Sequence, residues 1–174
     1  MNIKIVIAGK LASGKSSLAK AIAAHTSYPF VSFGKILSVY AQTHDMATGR
    51  EDLQRLSQGL IDARGQVGFM GWCVAHSQFI QWDQPLILEG LRHVGVYHAL
   101  SGMFPHHVLI FCDCDERTQI ERIVARDGAD RETAARIIAH ETEREVAQLK
   151  ELAHLVWQYP SDLQAFLAQL ASRQ

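Results

Sequence analysis

Short, mostly apolar runs punctuate the chain at residues 3–8, 30–32, 86–89 and 108–112, with a weaker one at 155–159. They are rich in Ile, Val, Leu and Phe and lack polar alternation, as strands covered on both faces do. The stretches between them carry apolar residues at helical spacing, which predicts helices over 15–25, 34–44, 50–63, 67–81, 95–103, 116–127, 130–152 and 161–171. Strand and helix therefore alternate, the pattern of a parallel sheet whose crossover helices cover both faces. The chain shows no repeat, low-complexity tract or linker. Asp127-Gly128-Ala129-Asp130 reads as a helix break inside one domain and as a candidate hinge for a moving segment.

Composition narrows the class. A length of 174 residues suits a single α/β domain with one real core. Lys+Arg 17 against Asp+Glu 18, a net charge of -1, supplies no basic stripe, so neither nucleic acid nor an anionic membrane is an expected partner. Small molecules are, with the chain acting as a monomer or homodimer. The opening Met-Asn-Ile-Lys-Ile runs into the first strand without a signal-type segment, and no apolar run approaches the roughly 18 residues of a membrane span, so a cytoplasmic protein is expected. Cys73, Cys112 and Cys114 form no ligand spacing with a histidine and are expected to be buried thiols. Trp72, Phe79 and Trp82 are expected to pack a helix against the sheet, with stacking on a bound base as the alternative.

The first strand ends in Gly-Lys-Leu-Ala-Ser-Gly-Lys-Ser at residues 9–16, an unbroken G-x-x-x-x-G-K-[ST] between a strand and a helix. That is a phosphate-binding loop in its required context. Gly9 and Gly14 free the backbone to turn and aim amides inward. Lys15 places a cation on the β- and γ-phosphates, and the Ser16 hydroxyl can hold Mg²⁺. Ala12, Ser13 and Ser17 complete the nucleotide-binding loop. Further on, Arg122 and Arg126 share one helix face, and Arg131, Arg136 and Arg144 follow beyond the glycine break. Beside a phosphate-binding loop, arginines on a closing segment would stabilise charge on a migrating phosphoryl group and exclude water, so a helical lid over about 127–145 is expected.

These features together resemble the P-loop nucleotide kinases, the group of nucleoside-monophosphate and dephospho-coenzyme A kinases. The likeness rests on the loop 9–16 and on Val31-Ser32-Phe33-Gly34-Lys35-Ile36-Leu37, similar to the turn that opens the acceptor site. It rests further on Leu86-Ile87-Leu88-Glu89-Gly90-Leu91-Arg92, where an acidic residue and a glycine precede a phosphate-binding arginine. Arg122-x-x-x-Arg126, with Glu141-Thr142-Glu143-Arg144-Glu145 after the lid, completes it. The segment 50–59, with Arg64 and Trp72 beyond, also looks like the phage and microbial deoxynucleoside monophosphate kinases.

The resemblance implies a three-layer P-loop NTPase fold, a five-stranded parallel sheet with helices on both faces and a small lid, with acceptor-binding helices at about 33–82. It implies ATP and Mg²⁺ as cofactors, and transfer of the γ-phosphoryl to a nucleoside or deoxynucleoside monophosphate. Lys15 would orient the donor, Ser16 and Glu89 would serve the metal, Arg122 would stack on the adenine and Arg126 would reach the transferring phosphate. Arg92 would grip the acceptor phosphate; Phe33, Lys35, Arg50, Gln54 and Arg64 are further acceptor-side candidates. The segment departs from the family in lacking an arginine on the helix after Phe33-Gly34, and in placing Val156-Trp157-Gln158-Tyr159-Pro160-Ser161 where relatives carry an Asn and a Gly near the adenine. A hydroxyl acceptor, as in a nucleoside or dephospho-coenzyme A, would need a base, for which Glu89 is the candidate. A non-catalytic nucleotide switch or regulatory ATPase is the rival from another class. A GTPase is disfavoured because no N-K-x-D segment occurs.

Overall fold

The computed structural model describes residues 3–139, 141–159 and 161–172, with the side chains of 50 and 141–144 outside that description. Its strands are β1 (Lys4–Gly9), β2 (Phe30–Ser32), β3 (Leu86–Leu91), β4 (His107–Asp113) and β5 (Leu155–Gln158). Among the described residues these form one sheet in the order β2-β3-β1-β4-β5, parallel at every pairing. The helices are α1 (Lys15–Thr26), α2 (Phe33–Thr43), α3 (Arg50–Ala75), α4 (Val94–Met103), α5 (Glu116–Asp127), α6 (Arg131–Ile138), α7 (Glu141–Gln148) and α8 (Leu163–Ala171). Among the described residues, no helix is long and apolar enough to cross a membrane.

The central strand explains the layering. Every residue of β1 is buried. Val6 and Ala8 face a core that includes residues of α2, α3, α4 and α7, whereas Ile5 and Ile7 face a second core with α1 and α8. Opposite faces of one strand thus serve two apolar layers, which is why the run shows no polar alternation. Lys4 is the exception within it. Its Nζ donates to the Gln84 carbonyl at 2.7 Å and lies 5.2 Å from the centre of the Phe104 ring, and burial pushes its pKa down.

Two expected helices come out differently. The stretch 130–152 is not one helix but α6, α7 and a following turn. Ala134 of α6 packs in a small core with Leu11 and Ile123, whereas Val146 and Leu149 join the large core under α4, and one straight helix cannot reach both. The helix expected over 67–81 stops at Ala75. Beyond it the Ser77 hydroxyl donates back to the Cys73 carbonyl and accepts from Trp82 Nε1 at 2.9 Å, so local side-chain bonding replaces the next turn. The break expected between 63 and 67 is present: Gly65 sits at φ 66 and ψ 173, interrupting α3. Trp72 is buried against Tyr40 and Phe69, while Phe79 is exposed beyond the helix.

Candidate nucleotide and acceptor site

The loop after β1 is shaped by its glycines and by its own lysine. A Cβ on Gly9, at φ +142, would stand 2.2 Å from the Cys112 carbonyl oxygen of β4, so only glycine lets the two strands meet there. Gly9 therefore acts by close packing beneath the loop, and does not itself line the cleft above. Ala12 and Gly14 take positive φ of 56° and 94° and turn the chain over. Lys15 Nζ reaches back to donate to the carbonyls of Gly9 at 2.9 Å and Lys10 at 2.5 Å. α1 then begins without a side-chain cap, its ladder starting at the Leu18 amide donating to Gly14. The amides of Lys15, Ser16 and Ser17 precede that ladder, and with the helix dipole they form an anion site.

This site opens into a cleft of about 1200 Å³. Ala12, Ser13, Gly14, Lys15, Ser16 and Ser17 form one wall, and Glu89, Arg92, Arg122 and Arg126 the others; Trp157, Tyr159 and Leu163 also line it. Ser13 is fully buried, and its hydroxyl has no hydrogen-bond partner among the described residues. Ser16 and Glu89 bring hard oxygen donors to the cleft that holds the anion site, the donor set that Mg²⁺ favours. The Cys112 thiol feels both the Lys15 cation and the Glu89 carboxylate, but burial dominates and pushes it up to about 12, as it does Cys73. All three cysteines are buried and free.

The arginines are not poised as the resemblance implied. Arg122 Nη1 donates to the Ala12 carbonyl at 2.9 Å and its guanidinium lies 4.1 Å from the centre of the Tyr159 ring. One of its faces is thus covered by Tyr159, where an adenine was expected. Arg126 is paired twice with the adjacent Asp127, at 2.6 and 2.7 Å, which raises its pKa further. Arg131 and Arg136 are exposed on α6 and line neither described cleft; the Arg144 side chain lies outside the described residues. Pro160 also lies outside them.

Behind the loop stands an acid that spacing did not single out. Asp113, at the end of β4 and 5% exposed, is contacted by Lys10 Nζ at 2.7 Å on Oδ1, as an ion pair without hydrogen-bond alignment, and by Lys150 Nζ at 2.7 Å on Oδ2. Burial alone would raise its pKa, but the two lysines outweigh it and hold the carboxyl below the usual range. Through Lys10 this acid fastens the loop whose carbonyls hold Lys15, and through Lys150 it reaches the chain after α7. Gln119 Nε2 adds a second tie, donating to the Leu11 carbonyl at 2.8 Å.

A second cleft, of about 230 Å³, lies between α2, α3 and α4. Phe33, Leu37, Leu53, Phe69 and Val96 make it largely apolar, and Gln54, Gln58, Arg92 and His93 contribute polar groups. Of the acceptor candidates, Phe33, Gln54 and Arg92 are gathered here. Lys35 and Arg64 are exposed and line neither cleft. Gly34 and Leu37 turn the inner face of α2 to the pocket, which leaves Lys35 on the outer side, and Arg64 sits at the exposed break beside Gly65. The Arg50 side chain lies outside the described residues.

The two clefts meet at β3. Ile7 pairs with Glu89 but Ala8 pairs with Leu91, so Gly90, at φ +91, is an extra residue in the strand. The bulge leaves Glu89 in the first cleft and restores Leu91 to the large core. Arg92 follows at the junction and lines both clefts. Just beyond it, His93 Nδ1 lies 2.9 Å from Glu145 Oε2 on α7, and Glu145 Oε1 accepts from the Val94 amide at 3.0 Å. Glu145 thereby caps α4, which has no cap of its own. Neither partnership is visible in spacing, because 52 residues separate the two side chains.

Fold and loop define a P-loop nucleotide-binding protein: a five-stranded parallel sheet between helical layers, with an anion-binding loop at the end of its central strand. The chain belongs to the AAA domain family, whose model matches residues 5–149. Solved structures with the same fold include TT1252 from Thermus thermophilus, at 18% identity and a TM-score of 0.64, covering 98% of this chain and 97% of that one. Shikimate kinase from Bacteroides thetaiotaomicron aligns at 15% identity and 0.57, covering 98% and 96%. Shikimate kinase from Acinetobacter baumannii, in complex with shikimate, aligns at 12% and 0.57, covering 100% and 95%. At these identities the likeness is one of fold. No curated protein sequence matches the chain.

Proposed function

We propose that the protein is a phosphotransferase that moves the γ-phosphoryl of Mg·ATP from the larger cleft to a nucleoside or deoxynucleoside monophosphate in the smaller one. The observation that carries this reading is Arg92, which lines both clefts and so stands where a phosphoryl group would pass between them. A nucleotide switch needs one cleft; a second, with a cation at the junction, favours transfer. The same fold carries kinase chemistry in the shikimate kinases. A nucleotide acceptor is favoured over a polyol because the second cleft is walled by Phe33 and Phe69, whose ring centroids lie 6.4 Å apart, and is also lined by the amide side chains of Gln54 and Gln58.

The chain's own groups act by position and charge. Lys15 exchanges the Gly9 and Lys10 carbonyls for phosphate oxygens, and the amides at the start of α1 hold the same anion. Ser16 and Glu89 would hold Mg²⁺, which neutralises charge on the β- and γ-phosphates when bound. Arg126 releases Asp127 to meet the charge that develops on the migrating group, while Arg92 holds the acceptor phosphate. No base is required, because the attacking oxygen is already anionic. The test is ADP release from Mg·ATP against ribo- and deoxynucleoside monophosphates, nucleosides and dephospho-coenzyme A, with Lys15→Ala as blank. Turnover stimulated by monophosphates and absent in the blank is expected; ATP binding without acceptor-dependent release would overturn the proposal in favour of a switch.

A further inference from the structure

We propose that His93 reads a hydroxyl on the sugar of the acceptor, with Glu145 as the positioning residue that makes it able to do so. The inference rests on the acceptor reading above and names what that reading leaves open. The ionised Glu145 carboxylate can only accept, so its 2.9 Å contact with His93 fixes the proton on Nδ1. The second oxygen of the same carboxylate is held by the Val94 amide at 3.0 Å, which locks the pair against rotation. In the neutral ring Nε2 is then a hydrogen-bond acceptor, and it has no hydrogen-bond partner among the described residues.

His93 lines the small cleft and does not line the larger one, whereas its neighbour Arg92 lines both. A monophosphate held by Arg92 at the junction, with its base against Phe33 and Phe69, has its sugar between these two ends and beside His93. An imidazole acceptor at that place pairs with a donor, and the sugar's donors are its hydroxyls. His93 is thereby assigned to sugar recognition, and the preference of the site to acceptors that keep a 2′- or 3′-hydroxyl.

The test compares a ribonucleoside monophosphate with its 2′-deoxy and 2′,3′-dideoxy counterparts as acceptors, in wild type, His93→Phe and Glu145→Gln. The wild type is expected to lose on the order of ten-fold in kcat/KM when the recognised hydroxyl is removed. In His93→Phe all three acceptors should perform alike, because the partner of the hydroxyl is gone. Glu145→Gln keeps an oxygen for the Val94 amide but offers His93 an N–H, which moves the ring proton to Nε2; the hydroxyl must then accept rather than donate, so the preference should weaken without vanishing as it does in His93→Phe. Ring ¹⁵N spectra should report the wild-type proton on Nδ1 and its transfer in Glu145→Gln, a readout that a merely structural role would leave unmoved. Calorimetric binding of the three monophosphates without ATP separates the two claims. Failure of turnover with intact, hydroxyl-dependent binding overturns the kinase reading alone. A hydroxyl preference that persists in His93→Phe, or binding indifferent to the sugar in wild type, overturns this one.

Discussion

Asp113→Asn removes the charge that fastens Lys10 of the loop and Lys150 after α7 to the end of β4. Asp113 itself is 5% exposed, but the two lysine side chains are 34% and 48% exposed and regain water once released. Bonds to a charged group contribute roughly 1.5–3 kcal/mol each, exposed ion pairs roughly 0–1, and these two lie between. Asn also keeps one oxygen for one lysine, which leaves a net loss of about 2 kcal/mol, or about 4–8 °C in Tm for a domain of this size. The pH dependence has a fixed sign. The Asp113 carboxyl has a lowered pKa in the folded protein, so its stabilisation is complete above the ordinary carboxylate value of about 3.9 and is lost as pH falls through the lower folded value. Thermal unfolding followed by circular dichroism, at neutral pH and in acid, reads both effects. A variant within about 1 °C of wild type at neutral pH, or a gap that fails to close in strong acid, would refute the clamp.

Gly9→Ala should cost about 3–5 kcal/mol, since its Cβ meets a backbone carbonyl at a strained φ, whereas Gly128→Ala, with open space at its left-handed φ, should cost only about 1 kcal/mol. Urea midpoints compare the two, and equal losses would contradict the packing account. Tyr159→Leu takes away the ring under Arg122 and should weaken ATP binding about two- to fivefold without changing acceptor affinity. Calorimetry checks this, and an unchanged Kd for ATP would remove Tyr159 from the site.

What could be read from residues alone was whatever lies contiguous in the chain. The phosphate-binding loop packs its glycines, lysine and serine into eight positions, 9–16, and each strand was placed to within two residues of its observed ends because its apolar run is buried on both sides. The division of 130–152 was hidden because periodicity reports a face and not which of two cores that face meets. Lys35 and Arg64 carried the right charge for an acceptor site but stand on outer surfaces, a matter of helix rotation that type and spacing do not encode. The partnerships of His93, Asp113 and Tyr159 had no local signal; Glu145, Lys150 and Arg122 arrive from elements 37 to 52 positions away.

The extra residue at Gly90 gives β3 the character of a gauge block. Glu89 lies within β3 and Arg92 just past its end, three positions on, one in the larger cleft and the other at the seam between both. On the proposed reading, the separation of donor and acceptor phosphates is set by β3, a strand paired on both sides within the sheet, rather than by the helices around it. For a phosphotransferase of the proposed kind, remodelling α2 and α3 would retune which acceptor enters while leaving the distance a phosphoryl group travels untouched, so selectivity and reach would be separable quantities.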